Sequence, residues 1–222
     1  MSESGLGYST IRFRATDSSF GEDVSRIQSR LVIETDVRGL RVVSLFGLTR
    51  GAGSTTVAAS VAAGLASQSL RVVLVDANVA SPSVHRLFGI EPSPGVAETL
   101  ESATPPAQAV RSASIANLDV MPAGTWSNAL GASLPERWKK LFAPLRNAYR
   151  LVIVDAGSAD SAHVDGIARG SDAVALVVEC GRSRWEQIAS FAAHMDEIGV
   201  PCLGVVLNKR RRFVPRFLDR GA

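Results

Sequence analysis

The chain has 222 residues, of which 46% are hydrophobic and 20% charged, with a formal net charge of +3. That suffices for one well-packed α/β domain with little left over, and it excludes a disordered chain. The mild charge argues against nucleic acid as a main partner. No apolar run is long enough for a membrane span, and Met1-Ser2-Glu3-Ser4-Gly5 has no signal-peptide pattern, so a cytoplasmic protein is expected.

In chain order, residues 1–19 are rich in Ser, Gly and Thr and are expected to form a flexible leader. Residues 20–208 read as a single domain. Glu22 to Ile33 predicts a short helix, and 40–47 a first core strand. Thr55 to Gln68, built largely from Ala and Val, predicts a helix, and 71–76 a second buried strand ending in Asp76. The region 80–114 holds five prolines and predicts several short helical pieces. Leu118 to Pro122 is a short strand and Leu134 to Tyr149 an amphipathic helix carrying Trp138, Leu141, Phe142 and Leu145. Residues 151–155 form another buried strand, ending in Asp155. Two more buried strands, 173–180 and 202–208, flank a helix from about Ser183 to Ile198. Continuous Val/Ile/Leu strands alternating with helices predict an α/β fold, a parallel β-sheet flanked by helices on both faces. Ligands of such sheets bind at the carboxyl ends of the strands, where Gly47, Asp76, Asp155 and Asn208 all fall.

The most informative stretch lies between the first strand and its helix, Gly47-Leu48-Thr49-Arg50-Gly51-Ala52-Gly53-Ser54-Thr55-Thr56. A phosphate loop ends Gly-Lys-[Ser/Thr]: its backbone N–H groups cradle phosphates, its lysine reaches the outer phosphates, and its hydroxyl binds Mg²⁺. Here the order is Gly53-Ser54-Thr55. The cradle residues 50–56 and the Thr55 hydroxyl are present, but the lysine is absent. Arg50 is the nearest replacement cation. Asp76 and Asp155 are candidates for Mg²⁺ binding or proton transfer, and Thr55 completes the candidate metal set. A plain strand-to-helix turn with strand-end capping aspartates is the alternative. Cys180 and Cys202 have no metal-like or redox-like spacing and are expected to be buried and inert. His85, His163 and His194 form no ligand cluster in the sequence.

The tail 209–222 carries six basic residues, Lys209, Arg210, Arg211, Arg212, Arg216 and Arg220, with Phe213 and Phe217 at i, i+4. This suits an anionic membrane surface, an acidic partner surface or nucleic acid, and equally a solvated tail.

Over residues 20–210 the chain resembles the cytoplasmic kinase domains of bacterial tyrosine kinases from capsule and exopolysaccharide systems, relatives of the septum-site and partition ATPases. The resemblance rests on Val72-Val73-Leu74-Val75-Asp76-Ala77-Asn78, on Pro82 to Ile90, on Gly95-Val96-Ala97-Glu98-Thr99-Leu100, and on Asn117 to Gly124 with Asn128. It continues through Tyr149 to Asp155 and Gly204 to Asn208. It implies a phosphate-loop NTPase fold, ATP or ADP with Mg²⁺, and Asn208 at the adenine base. It also implies a polysaccharide chain-length or export membrane protein as partner, a homo-oligomer, and a place at the inner membrane's cytoplasmic side. The departures are Ser54 for the lysine, Asn78 for the second aspartate of Asp-x-Asp, Ala80 for an arginine, and Asp155-Ala156-Gly157-Ser158 without paired prolines. The family's tyrosine-rich tail is also missing: the chain has two tyrosines, Tyr8 and Tyr149. Glu22, Arg26 and Arg30 loosely echo the family's assembly helix, with a solvated charged face as the alternative. The expected function is therefore a degenerate, pseudokinase-like regulator of exopolysaccharide synthesis or export, with nucleotide binding weakened by the missing lysine. An active ATP-dependent kinase or ATPase, or a partition-type ATPase acting on membrane or DNA, remain the alternatives.

Overall fold

The structure is a computed structural model that describes residues 18–102, 104–126 and 135–209. The N-terminal segment, Asn128 and the arginines of the tail lie outside the described residues. A seven-stranded sheet runs in the order β3-β4-β2-β5-β1-β6-β7. The strands are β1 (Val42–Gly47), β2 (Val72–Asp76), β3 (Arg111–Ser112), β4 (Leu118–Met121), β5 (Leu151–Ser158), β6 (Ala173–Glu179) and β7 (Cys202–Asn208). All pairings are parallel except β3 with β4.

Alternation along the strands divides the core in two. Val43, Leu45, Val72, Leu74, Leu151 and Ile153 face helices α1 (Ser18–Arg38), α2 (Ser54–Ser67) and α3 (Val84–Phe88). Val42, Phe46, Val73, Val75, Val152 and Val154 face the other side. There they meet α4 (Val96–Ser102), α5 (Pro106–Ala109), α6 (Pro135–Ala148), α7 (Val164–Gly170) and α8 (Trp185–Glu197). Central strands buried on both faces require apolar residues at every position, which is why these runs lack a polar alternation.

Five readings of the sequence are corrected. Helix α1 is longer than 22–33, because Thr35 is buried and donates to the Leu31 carbonyl while Arg38 pairs with Glu34 in the last turn. Helix α7 was not expected. Strand β5 continues three residues past Asp155, so that carboxylate sits within the strand. Strand β7 is an edge rather than a buried strand: Val205 and Leu207 are exposed. Cys180 is exposed and Cys202 half-buried, so the expectation of two buried thiols fails at Cys180, just beyond the end of β6. Among the described residues no helix is long and apolar enough to cross a membrane.

Tyr149 closes the base of the sheet. It is 8% exposed, its hydroxyl donates to Asp119 Oδ2 at 2.8 Å, and the Arg71 guanidinium lies 5.0 Å from its ring. Burial first, and the Asp119 bond second, push its pKa up to about 12. Tyr149→Phe should cost about 1 kcal/mol, the usual worth of such a bond, read as a lowered denaturant midpoint at unchanged slope.

Candidate functional site

The loop after β1 takes a conformation that depends on its glycines. Gly51 and Gly53 have φ of 79° and 95°, a region where a side chain is strained. A Cβ on Gly53 would also lie 2.2 Å from the Asn208 amide nitrogen. That amide donates to the Ala52 carbonyl at 2.8 Å, so the last residue of β7 braces the loop. Helix α2 opens directly after Gly53 without a side-chain cap. The backbone N–H groups of its first turn therefore have neither an intrahelical nor a side-chain acceptor, the arrangement that receives an anion.

These groups border a cleft of about 600 Å³. Its walls are the loop 49–56, the turn 78–83 after β2, and the segment 156–163 that ends β5. Of the expected site residues, Arg50, Gly51, Gly53, Ser54, Thr55 and Thr56 line it. Arg50 is exposed at the rim, and Ala52 is buried behind the loop.

Asp76 and Asp155 lie beneath the cleft, facing each other across the β2–β5 ladder, and both are fully buried. Asp155 accepts bonds from the Thr55 hydroxyl at 2.5 Å, the Ser54 hydroxyl at 3.1 Å and the Gly157 N–H at 3.3 Å. The Ser54 hydroxyl is thus turned inward, onto a carboxylate. Asp76 accepts from the N–H groups of Asn78, Ser83 and Val84 at 3.0–3.1 Å. Its carboxylate holds the 78–84 turn in place, a duty the sequence does not announce. Burial, then repulsion from Asp155, raises the pKa of Asp76 from 3.8 to about 7, despite those three bonds. Burial also raises that of Asp155, against the bonds from Thr55, Gly157 and Ser54.

Asn78 packs on Gly157, and its Oδ1 accepts from the Ser81 N–H at 3.3 Å. The wall 156–163 adds His163, which the sequence reading left without a role. Its ring packs against Trp126 with centroids 5.4 Å apart. No spacing rule connects His163 to the loop; only the return of β5 beside β1 brings them together. Among the described residues no group of three or more His, Cys, Asp or Glu side chains could cage a metal. Mg²⁺ held at Thr55 and Asp155 would take further ligands from phosphate and water.

A mostly parallel sheet with this loop at the head of α2 defines an α/β domain of the phosphate-loop NTPase type. The chain is similar to bacterial proteins named as tyrosine-protein kinases and, at 29% identity over 176 residues, to the succinoglycan biosynthesis transport protein ExoP of Rhizobium meliloti. It is 27% identical over 195 residues to tyrosine-protein kinase YwqD of Bacillus subtilis, covering 86% of this chain and 81% of the relative. It is 26% identical over 185 residues to tyrosine-protein kinase wzc of Salmonella typhimurium, covering 81% of this chain. The match spans 25% of that relative's length, and 26% of the putative tyrosine-protein kinase EpsB of Ralstonia solanacearum. The kinase domain of Escherichia coli tyrosine kinase ETK superposes with a TM-score of 0.80 at 22% identity, over 88% of this chain and 78% of that one. The cell division ATPase MinD of Pyrococcus furiosus superposes with a TM-score of 0.68 at 18% identity, over 80% and 76%. No model of a known protein family matches the chain.

Proposed function

We propose that the chain is a pseudokinase-like member of the polysaccharide tyrosine-kinase family, regulating exopolysaccharide synthesis or export through protein contacts. In this reading it binds ATP or ADP weakly and turns ATP over slowly or not at all. It works on the cytoplasmic side, beside a chain-length or export membrane protein, and the basic tail supplies a contact to that partner or to anionic lipid.

The observation that carries the reading is Ser54, buried with its hydroxyl on Asp155. A lysine's charge-assisted phosphate contact is worth about 1.5–3 kcal/mol, and its loss costs more in turnover, where charge develops on the transferred group. The fit to nucleotide is otherwise retained: positive-φ glycines, uncapped first-turn N–H groups, and a hydroxyl and carboxylate for Mg²⁺ at Thr55 and Asp155. When bound, Mg²⁺ neutralises phosphate charge.

Calorimetric titration with ATP and ADP in the presence of Mg²⁺ tests this. Weak binding without measurable hydrolysis is expected. Submicromolar ATP affinity, or steady hydrolysis abolished by Asp76→Ala, overturns the reading and points to a substitute cation such as Arg50.

No phosphotyrosine is expected on the chain. The sequence offers Tyr8 and Tyr149, and the Tyr149 hydroxyl is tied to Asp119 at the opposite edge of the sheet from the cleft. Mass spectrometry after incubation with ATP and Mg²⁺, and after co-expression with an active relative, checks this. High occupancy of phosphate on either tyrosine would contradict it.

A further inference from the structure

We propose that the open edge of β7 is a docking surface for a strand of this same chain, and that residues 8–16 fill it as an eighth strand running parallel to β7.

The edge comes first. Among the described residues β7 pairs with β6 alone, so every second N–H and C=O along it faces outward. Its sequence is Cys-Leu-Gly-Val-Val-Leu-Asn, and Val205 and Leu207 are 44% and 63% exposed. The strand carries no proline and no charge, the usual devices that guard an open edge. Between α1 and β7 runs an apolar groove of about 200 Å³, walled by Ile27, Leu31, Leu203 and Val206. Edge and groove together offer backbone partners and a side-chain seat to one more strand.

The chain supplies a match. Tyr8-Ser9-Thr10-Ile11-Arg12-Phe13-Arg14-Ala15-Thr16 has no Gly or Pro and is rich in β-branched and aromatic residues. It alternates: Ile11, Phe13 and Ala15 fall on one face, Arg12 and Arg14 on the other. Arg26 and Arg30 also border the groove, which disfavours further arginines there. Ile11 and Phe13 therefore enter the groove, and Arg12 and Arg14 take the opposite face. The same charge argues against the tail 209–222, with its six basic residues, as the occupant. Lys209, where the tail begins, is bonded to Glu179 at the end of β6, on the inner side of β7.

The connection fits as well. Helix α1 ends at Arg38 and β1 opens at Val42, so α1 runs antiparallel to the strands and begins at their carboxyl ends. Its middle, around Arg26 to Leu31, borders the same groove as residues 203–206. Ser18 lies about 12 Å above Arg26 along the helix. Asn208 lies about 13 Å beyond Gly204 along β7, at a similar height. A strand leading up into Ser18 thus runs parallel to β7. Residues 8–16 extend to about 30 Å as a strand, enough to follow the 7 residues of β7. The crossover from there over α1 to β1 uses the face that α2 covers and travels in the direction of β1-α2-β2, so it has the same, right-handed sense. Since β7 ends in Asn208, the added strand also steadies the clamp on the phosphate loop.

Hydrogen exchange of the full chain, with and without Phe13→Asp, tests this. In wild type, residues 8–16 should exchange about tenfold or more slowly than an unstructured chain of that sequence. In the variant that protection should vanish and residues 203–207 should exchange about tenfold faster, while β1 and β5 keep theirs and report an intact fold. A second measurement needs no variant: nuclear Overhauser contacts between backbone amides of 8–16 and of 203–207 in wild type. Exchange of 8–16 at the unstructured rate, absence of those contacts, or unchanged protection of 203–207 in a folded Phe13→Asp protein overturns the assignment. So does protection of 8–16 that falls on dilution as a larger species dissociates, since a second copy would then supply the strand.

Discussion

Ser54→Lys is expected to raise ATP affinity about tenfold or more, since one charge-assisted phosphate contact is worth about 1.5–3 kcal/mol. The cradle is already built. Gly51 and Gly53 hold their positive φ values, Asn208 braces the Ala52 carbonyl, and the first turn of α2 is uncapped. The substitution sacrifices the Ser54 bond to Asp155, yet Asp155 keeps its bonds from Thr55 and Gly157. The new ammonium enters above two buried carboxylates whose pKa values are raised, and it favours their charged forms. Turnover should rise much less, because Asn78, on the turn after β2, brings no carboxylate to the cleft. Adding Asn78→Asp should help hydrolysis further. It keeps the side-chain oxygen that accepts from the Ser81 N–H and needs no extra room beside Gly157. Calorimetry and a steady-state phosphate-release assay measure the two effects separately. Unchanged ATP affinity in a folded Ser54→Lys protein would mean that the loop no longer receives phosphate, and regulation would need a site independent of nucleotide.

How much of this was legible in the sequence depended on whether the determinant was local. Runs such as Val72–Asp76 and Leu151–Asp155 announce doubly covered strands because every side chain meets a helix layer, whereas the register that sets Asp76 opposite Asp155 appears only in the parallel pairing. The Gly-Ala-Gly loop and the Ala-rich helix are equally local signals. Helix α7 was missed because its sequence, Val164 to Gly170, carries two glycines and has no full amphipathic repeat. Gly170 is there for packing: a Cβ on it would come 3.0 Å from both Trp138 and Phe142 of α6. Strand β3 is two residues long and owes its existence to antiparallel pairing with β4. In the site, the glycines and aspartates were legible because phosphate chemistry demands those residue types at those spacings. Two roles were not. Asn208 clamps the loop from 156 residues away, and the wall bearing His163 has no motif of its own. The inward turn of Ser54 was hidden too, since a missing lysine says nothing of where the replacing hydroxyl points.

Asp76→Asn should reverse sign between acid and alkaline conditions, destabilising the protein at pH 4 and stabilising it at pH 8. Asp76 titrates near 3.8 when unfolded and at about 7 when folded. Below pH 4 both states hold the proton, and the group makes no net demand. Between pH 4 and 7 the folded state keeps a proton that the unfolded chain has released, so stability falls as pH rises. Above pH 7 the buried charge remains as a fixed cost, about 4 kcal/mol for a displacement of this size at 1.36 kcal/mol per pH unit. Asparagine removes that slope but cannot serve all three donors. One oxygen can keep the Ser83 and Val84 N–H groups, leaving an amide nitrogen facing the Asn78 N–H, at a cost of about 1–3 kcal/mol. At pH 4 the unfolded carboxyl also holds much of its proton, so only about 0.5 kcal/mol of proton-linked cost remains to be relieved and the lost acceptor decides. At pH 8 the relief of charge outweighs it by about 1–3 kcal/mol, a rise in Tm of several degrees for a chain of this length. Calorimetric melting of both proteins at the two pH values settles the sign. A variant destabilised equally at pH 4 and pH 8 would show that the Asp76 carboxylate folds without a raised pKa, and that its three N–H donors, rather than Asp155 across the ladder, set its charge.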